Sequence, residues 1–428
     1  MGKLIDAKSL PATSSQLLLF EVPSTQVAYN TAQWLTFPTV TPVNNTGPFE
    51  FHLADSRHYL QISKCYVSFR IRVKTVKATD NVAVVNYLGG SFFNQVKVEL
   101  NNTLIFDAPH YGFKAYLEAL LNNSRDAKEG IMQAAGYYED RPKKEGIDNA
   151  TNSGYTTRLQ LAKQDTIDIY APLHIDPFNT DRLLVPHVNL QIRLFRAPDS
   201  FVLVSHEAAP PVGTIELLGM NLHVRAVDVI SSASLALERT LISTTAKYPY
   251  RRTRVKMLTI PAGQQELPFS TVFTDIIPRR LVIGCVEQKA AVGDISKTPF
   301  NFQHFNISEI SVNAAGVTYP SSPVLTDFPN SNYANAFVSF FENIGCVSEN
   351  RPLPISYFDY GHGFTLFAFN LSPSDNNSEF ELVQQGSTQI RARFSSPTST
   401  AIQMIIYAEE DALLILDHYR NVYSDRQA

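Results

Sequence analysis

The sequence predicts an all-β protein built from two tandem copies of one β-module. Three observations carry that expectation: an internal repeat, strands of period two, and a composition rich in turn residues but poor in charge. Set against itself, the chain repeats. Leu35-Thr36-Phe37-Pro38 with Pro48-Phe49 returns as Leu258-Thr259-Ile260-Pro261 with Pro268-Phe269. Phe93-Asn94 with Leu100-Asn101 returns as Phe305-Asn306 with Val312-Asn313. Tyr170-Ala171 returns as Phe367-Ala368, and Gln191-Ile192-Arg193 as Gln389-Ile390-Arg391. The anchors keep their order at offsets of 223, 212, 197 and 198 residues, which two copies of one fold explain better than chance.

The 428 residues leave room for two domains, each able to bury its own core. Hydrophobic residues make up 44% and charged residues only 18%, which excludes a disordered chain. The 25 prolines and 27 phenylalanines suit a β-rich chain with many turns, and the sparse charge suits a surface partly covered by copies of itself. A formal charge of −4 argues against a dedicated nucleic-acid coater, which needs a strong basic excess. Cys65, Cys285 and Cys346 are odd in number and far apart, the pattern of reduced thiols in a protein folded in cytoplasm or nucleus. No leading apolar segment reads as a signal peptide, so sequons such as Asn101-Asn102-Thr103 are expected to stay unmodified, and Asp6 breaks the myristoylation pattern. No apolar run is long enough for a membrane span.

Along the chain, residues 1–20 read as an N-terminal arm and 21–228 as the first module. Frequent turn residues between Val22 and Phe51 mark short strands. Tyr59 to Val73 alternates, with Cys65, Val67, Phe69, Ile71 and Val73 on one face and Lys64, Ser68, Arg70 and Arg72 opposite. Gln95 to Ile105 repeats the pattern around an Asn101-Asn102 turn. Residues 113–138 switch to helical spacing broken at Asn122-Asn123-Ser124, and 139–158 read as a polar surface loop. This helix-plus-loop insertion makes the first copy longer than the second between matching anchors. Strands resume at 166–173, 188–195 and 214–227. Residues 229–246 form the connection, with a short helix. The second module, 247–428, shows strands near 252–260, 280–286, 307–312, 365–370, 387–394 and 402–409, and a short helix at Tyr333–Phe341. Regularly spaced short strands of this kind build a sandwich, barrel or jelly roll.

Catalytic and ligand-binding signatures are sparse. There is no GxxxxGK[ST] loop, GxSxG elbow or HExxH pair, and Gly361-His362-Gly363 lacks the third glycine and βαβ setting of a dinucleotide turn. The ten histidines never form the HxH pair of a double-barrel metalloenzyme, so no metal and no cofactor is expected. Carboxylate groups such as Asp176 with Asp181, or Glu409-Glu410-Asp411, read as loop caps and solvated charge, and no catalytic residue is assigned. The strongest charge feature is Arg251-Arg252-Thr253-Arg254-Val255-Lys256. On a strand, Arg252, Arg254 and Lys256 share one face, a candidate contact with another subunit or with nucleic-acid phosphate, and Arg279-Arg280 extends it.

Several stretches resemble the double jelly-roll major capsid proteins of the adenovirus-hexon-like lineage, nearest to the Polinton/Maverick and adintovirus-like group. They are Phe92-Phe93-Asn94-Gln95-Val96, Ala115-Tyr116-Leu117-Glu118, Thr245-Ala246-Lys247-Tyr248-Pro249, Val282-Ile283-Gly284-Cys285-Val286, Pro299-Phe300-Asn301-Phe302 and Tyr419-Arg420-Asn421-Val422. The resemblance implies two tandem jelly rolls, with short helices between strands, in a non-enzymatic major capsid protein. It also implies a homotrimer of near-hexagonal outline that tiles an icosahedral shell beside penton and minor capsid proteins. Under it, residues 122–160 and 287–300 become candidate outer tower loops, and the arm faces the interior or locks neighbours. The competing expectations are a two-domain β-sandwich hydrolase, a glycan-binding protein, or a receptor-binding or vertex component of the same particle.

Overall fold

The computed structural model describes residues 6–424 except 7, 11, 56, 78, 145, 348–352 and 375–378. Of the arm expected over 1–20, residues 1–5, 7 and 11 therefore lie outside the described residues. The remainder contains one 3-10 turn, Ser15–Leu17, with no buried side chain.

The first half contains eight strands of the sandwich: β1 (Tyr29–Pro38), β2 (Phe49–Asp55), β3 (Tyr59–Thr75), β4 (Phe93–Leu100), β5 (Thr103–Pro109), β6 (Ile167–Pro172), β7 (Val188–Arg196) and β8 (Gly213–Val229). The second contains β9 (Ala246–Ile260), β10 (Glu266–Phe273), β11 (Arg280–Glu287), β12 (Ile307–Ala314), β13 (Val317–Leu325), β14 (Leu366–Asn370), β15 (Thr388–Phe394), β16 (Ile402–Leu416) and a short β17 (Val422–Ser424) that pairs with β16. The sheet orders are β1-β8-β3-β6 and β2-β7-β4-β5 in the first half, then β9-β16-β11-β14 and β10-β15-β12-β13 in the second. Raising each first-half strand number by eight gives the second half. All the pairings are antiparallel, and each half is an eight-stranded jelly roll.

The repeat extends to local detail. β4 and β5 are joined by Asn101-Asn102, β12 and β13 by Ala315-Gly316, and all four residues have positive φ. That is the mirror-type two-residue turn whose twist matches paired strands. Cys65 and Cys285 lie on the matching strands β3 and β11, and all three cysteines are buried.

The four longest helices among the described residues are α1 (Tyr111–Asn122), α2 (Ser153–Ala162), α3 (Ser231–Ser243), which lies in the expected connection, and α4 (Ala334–Asn343). α1 and α4 occupy matching places, each following the fifth strand of its jelly roll, β5 or β13, in chain order. The Asn122-Asn123-Ser124 break is present, with the Ser124 side chain capping a short helix at Arg125–Glu129. Two expectations need correction. Residues 139–158 are not simply a solvated loop, because α2 begins at Ser153 and buries Tyr155 and Arg158. Asp140 takes the Arg158 guanidinium at 2.9 Å, which also donates to the Val84 and Tyr138 carbonyls, so a buried ion pair anchors the insertion. The sequence also gave no sign of β10 and β13. Both are sheet-edge strands broken by Pro268, Pro320 and Pro323, where a missing N–H is tolerated but the alternation is lost.

Candidate functional site

The contact between the two halves holds a buried cluster of charged side chains. α1 supplies it because eleven of its twelve residues are buried, two of them charged. Lys114 and Glu118 are one turn apart on that helix, so their side chains meet, with Nζ to Oε1 at 2.5 Å. The Lys114 ammonium also reaches Asp176 Oδ1 at 2.7 Å and donates to the His174 carbonyl at 3.0 Å. Glu118 Oε2 lies 2.8 Å from His174 Nδ1, and the other ring nitrogen is 2.6 Å from the Tyr87 hydroxyl. Asp176 then crosses to the second half. Its carboxylate accepts the Thr253 backbone N–H at 2.7 Å and the Thr253 hydroxyl at 3.0 Å.

Two carboxylates sharing one ammonium do not titrate alike. Burial works against the Glu118 carboxylate, but Lys114 and His174 outweigh it and hold the group well below the usual carboxylate range. At Asp176 burial wins, with the Glu118 charge adding to it, and the carboxyl is raised despite Lys114. A buried ionic cluster of this kind gives little net stability, yet removing one member strands the others. Through Asp176 it joins α1 of the first half to β9 of the second.

Aromatic packing closes the same contact. Tyr116 of α1 stacks on Phe300 with ring centroids 3.9 Å apart, and Phe113 meets the same ring edge-on at 5.6 Å. Phe302, two residues on, fills the space over Gly284 of β11, where a Cβ would come within 2.5 Å of its ring. The candidate tower loops touch here too: Asp148 accepts the Thr298 N–H and the Asn301 side-chain amide, both at 2.8 Å.

The basic strand lies beside this cluster. Arg252, Arg254 and Lys256 line a cavity of about 290 Å³ with Asp107, Lys114 and Asp176. Arg254 pairs with Asp275 at 2.8 Å and with Glu410, and its guanidinium lies over the Phe273 ring. The Lys256 ammonium donates to the Val272 carbonyl at 2.7 Å. Arg279 and Arg280 do not extend an open basic surface, because they turn inward toward Asp411 and Glu409. Of the carboxylates expected to be loop caps or solvated charge, Asp181 is exposed, but Asp176 and Glu410 are buried, each against a cation. A second cavity, about 380 Å³, opens between Lys144, Glu287, His304, Phe305 and His362. Its histidines are engaged locally, His304 Nδ1 accepting the Asn306 N–H and His362 Nδ1 lying 2.8 Å from the Phe358 carbonyl. Gly361-His362-Gly363 ends a five-residue helix ahead of β14. Among the described residues no three His, Cys, Asp or Glu side chains are grouped to hold a metal ion, and no helix is long and apolar enough to cross a membrane.

Comparison with known proteins adds the fold's relatives. No family model matches the chain. The Caenorhabditis elegans protein "Uncharacterized protein F54H12.2" is 26% identical over 424 residues, spanning 94% of this chain and 99% of its own. Among solved structures, a chain of the Sputnik virophage superimposes with a TM-score of 0.67 at 11% identity, covering 100% of this chain and 94% of its own. The Faustovirus major capsid protein gives 0.59 at 9%, with 93% and 92% covered. The mavirus major capsid protein gives 0.52 at 10%, with 100% and 97% covered. This chain is a double jelly roll. At such low identity the likeness is one of fold, and it spans both halves of the chain.

Proposed function

We propose that this chain is the major capsid protein of a double-stranded DNA virus or virus-like element, within the adenovirus-hexon-like lineage and nearest the Polinton/Maverick and adintovirus-like group. The observation that carries the reading is the same strand order in both halves, in a chain that superimposes over 93% and 100% of its length on two viral major capsid proteins. In this reading residues 21–228 and 247–428 are the two jelly-roll domains, 229–246 links them, and 1–20 is an arm that faces the interior or locks neighbours. Three chains form a pseudo-hexameric trimer, trimers tile an icosahedral shell, and penton and minor capsid proteins complete it. The chain folds in host cytoplasm or nucleus, acts in the virion and performs no catalysis.

For Arg252, Arg254 and Lys256 the same reading favours a structural or intersubunit role over non-specific genome contact. Arg254 already serves two carboxylates, which leaves it little charge to offer phosphate. Electron microscopy of the expressed chain tests the proposal: hexagonally outlined units or closed shells are expected. Dispersed single molecules under all assembly conditions contradict it.

A further inference from the structure

The duplicated fold leaves two surfaces open or half-exposed whose counterparts are covered within the chain. Matching Leu35-Thr36-Phe37-Pro38 to Leu258-Thr259-Ile260-Pro261 puts Trp34 and Thr36 of β1 where β9 has Met257 and Thr259. Hydrogen bonding supports the match. Thr36 lies opposite His223 and its hydroxyl is 3.1 Å from the ring, and Thr259 lies opposite Gln403 and bonds it at 2.9 Å.

On the second half this sheet face is hidden. Thr253 is held by Asp176, and Phe302, itself packed against Tyr116 of α1, sits over Gly284. On the first half the matching face is open. It carries a row of rings, Trp34 to Tyr66 at 5.8 Å, Tyr66 to Tyr170 at 5.4 Å and Tyr170 to His223 at 5.1 Å, with Trp34 50% and Tyr170 41% exposed. Lys64 and Arg70 flank the rings on the same side of β3. Exposed Trp and Tyr bordered by cations make up the composition of an interface centre.

The complementary surface is half-exposed. Lys114 and Glu118, which α1 sends toward the second half, are the fourth and eighth residues of that helix. The fourth and eighth of α4 are Phe337 and Phe341, with rings 4.8 Å apart; Phe337 meets Tyr357 and Tyr360 edge-on, each at 5.4 Å, and both rings stay only partly buried. Val338 beside them is 51% exposed, and Glu342 adds an exposed carboxylate.

We infer that α4 of one copy, through Phe337, Val338 and Phe341, seats on the Trp34–Tyr66–Tyr170 face of a second copy. The contact repeats between chains what α1 does within one, with aromatic packing in place of the ion cluster, and Glu342 meets Lys64 or Arg70. Because the two surfaces differ, the contact is head-to-tail, and the trimer of the proposed function is the case in which it closes into a ring. The inference rests on the shell-subunit reading and specifies its interface.

Light scattering on the full chain tests it with Trp34→Glu and, separately, Val338→Asp. Both side chains are exposed in the single chain, so the circular dichroism spectrum should hold while the mass falls from oligomer to monomer. Oligomers that survive both changes overturn the inference but leave the shell reading standing; a monomeric unmodified chain removes both. A second measurement does not depend on charge. In the double variant Trp34→Cys, Phe341→Cys, a bis-maleimide should link chains into a ladder, because the native cysteines are buried. Each single variant should give no ladder. A double variant with no linked chains, made in a protein that is oligomeric, also overturns the inference.

Discussion

Lys114 sits where a substitution is most informative, since its ammonium serves two buried carboxylates and a carbonyl. Lys114→Met leaves Glu118 and Asp176 facing each other without a cation. We expect a loss of about 3–5 kcal/mol, read as a large drop in melting temperature. A variant that melts like the parent shows that water or rearrangement replaces the ammonium. His304 provides a pH test. Its ring stacks on Phe328 at 4.3 Å, and its Nδ1 accepts the Asn306 N–H, which assigns the proton of the neutral ring to Nε2. Burial, with His362 nearby adding repulsion, pushes its pKa down from 6.5 to about 4. A depressed base is protonated in the unfolded chain before the folded one. Its contribution is therefore intact above pH 6.5 and lost as pH falls toward 4, amounting to about 3 kcal/mol or less. His304→Asn should flatten the melting-temperature profile across that window, and an unchanged slope would assign the dependence to other groups.

Among the elements, the paired hairpins invite a stabilising change. Asn101-Asn102 and Ala315-Gly316 make the same turn, but Ala315 holds a φ of 48°, where its Cβ is strained and an asparagine is tolerated. Ala315→Asn at this exposed site should add about 0.5–1 kcal/mol, seen as a higher denaturation midpoint. A fall in that midpoint would mean the turn is held by tertiary contacts instead. The same scale shows what was legible in the sequence. β3, β8 and β15 alternate cleanly because one face of each meets a core, and period two is a local signal. A strand was expected near Arg252–Ile260, yet β9 begins at Ala246: it is an edge strand, and Pro249 pairs with Leu413 inside the ladder. β10 and β13 escaped notice for the same reason. The burial of Asp176 was not visible, because its partners Lys114 and Thr253 are distant in sequence and only the fold brings them together. One hint was available: a lysine and a glutamate four residues apart in an otherwise apolar helix.

At the scale of the whole molecule, the duplicated topology, the ion cluster and the two open or half-exposed surfaces have one explanation. A module that doubled keeps one contact inside the chain and presents its counterpart outside. In the proposed ring, the first half's open sheet face and the second half's half-exposed helix would complete each other. The native mass of the purified chain in solution tests this most directly. Light scattering should return three times the 47.8 kDa of one chain across a wide concentration range. A species of 47.8 kDa at every concentration would contradict it.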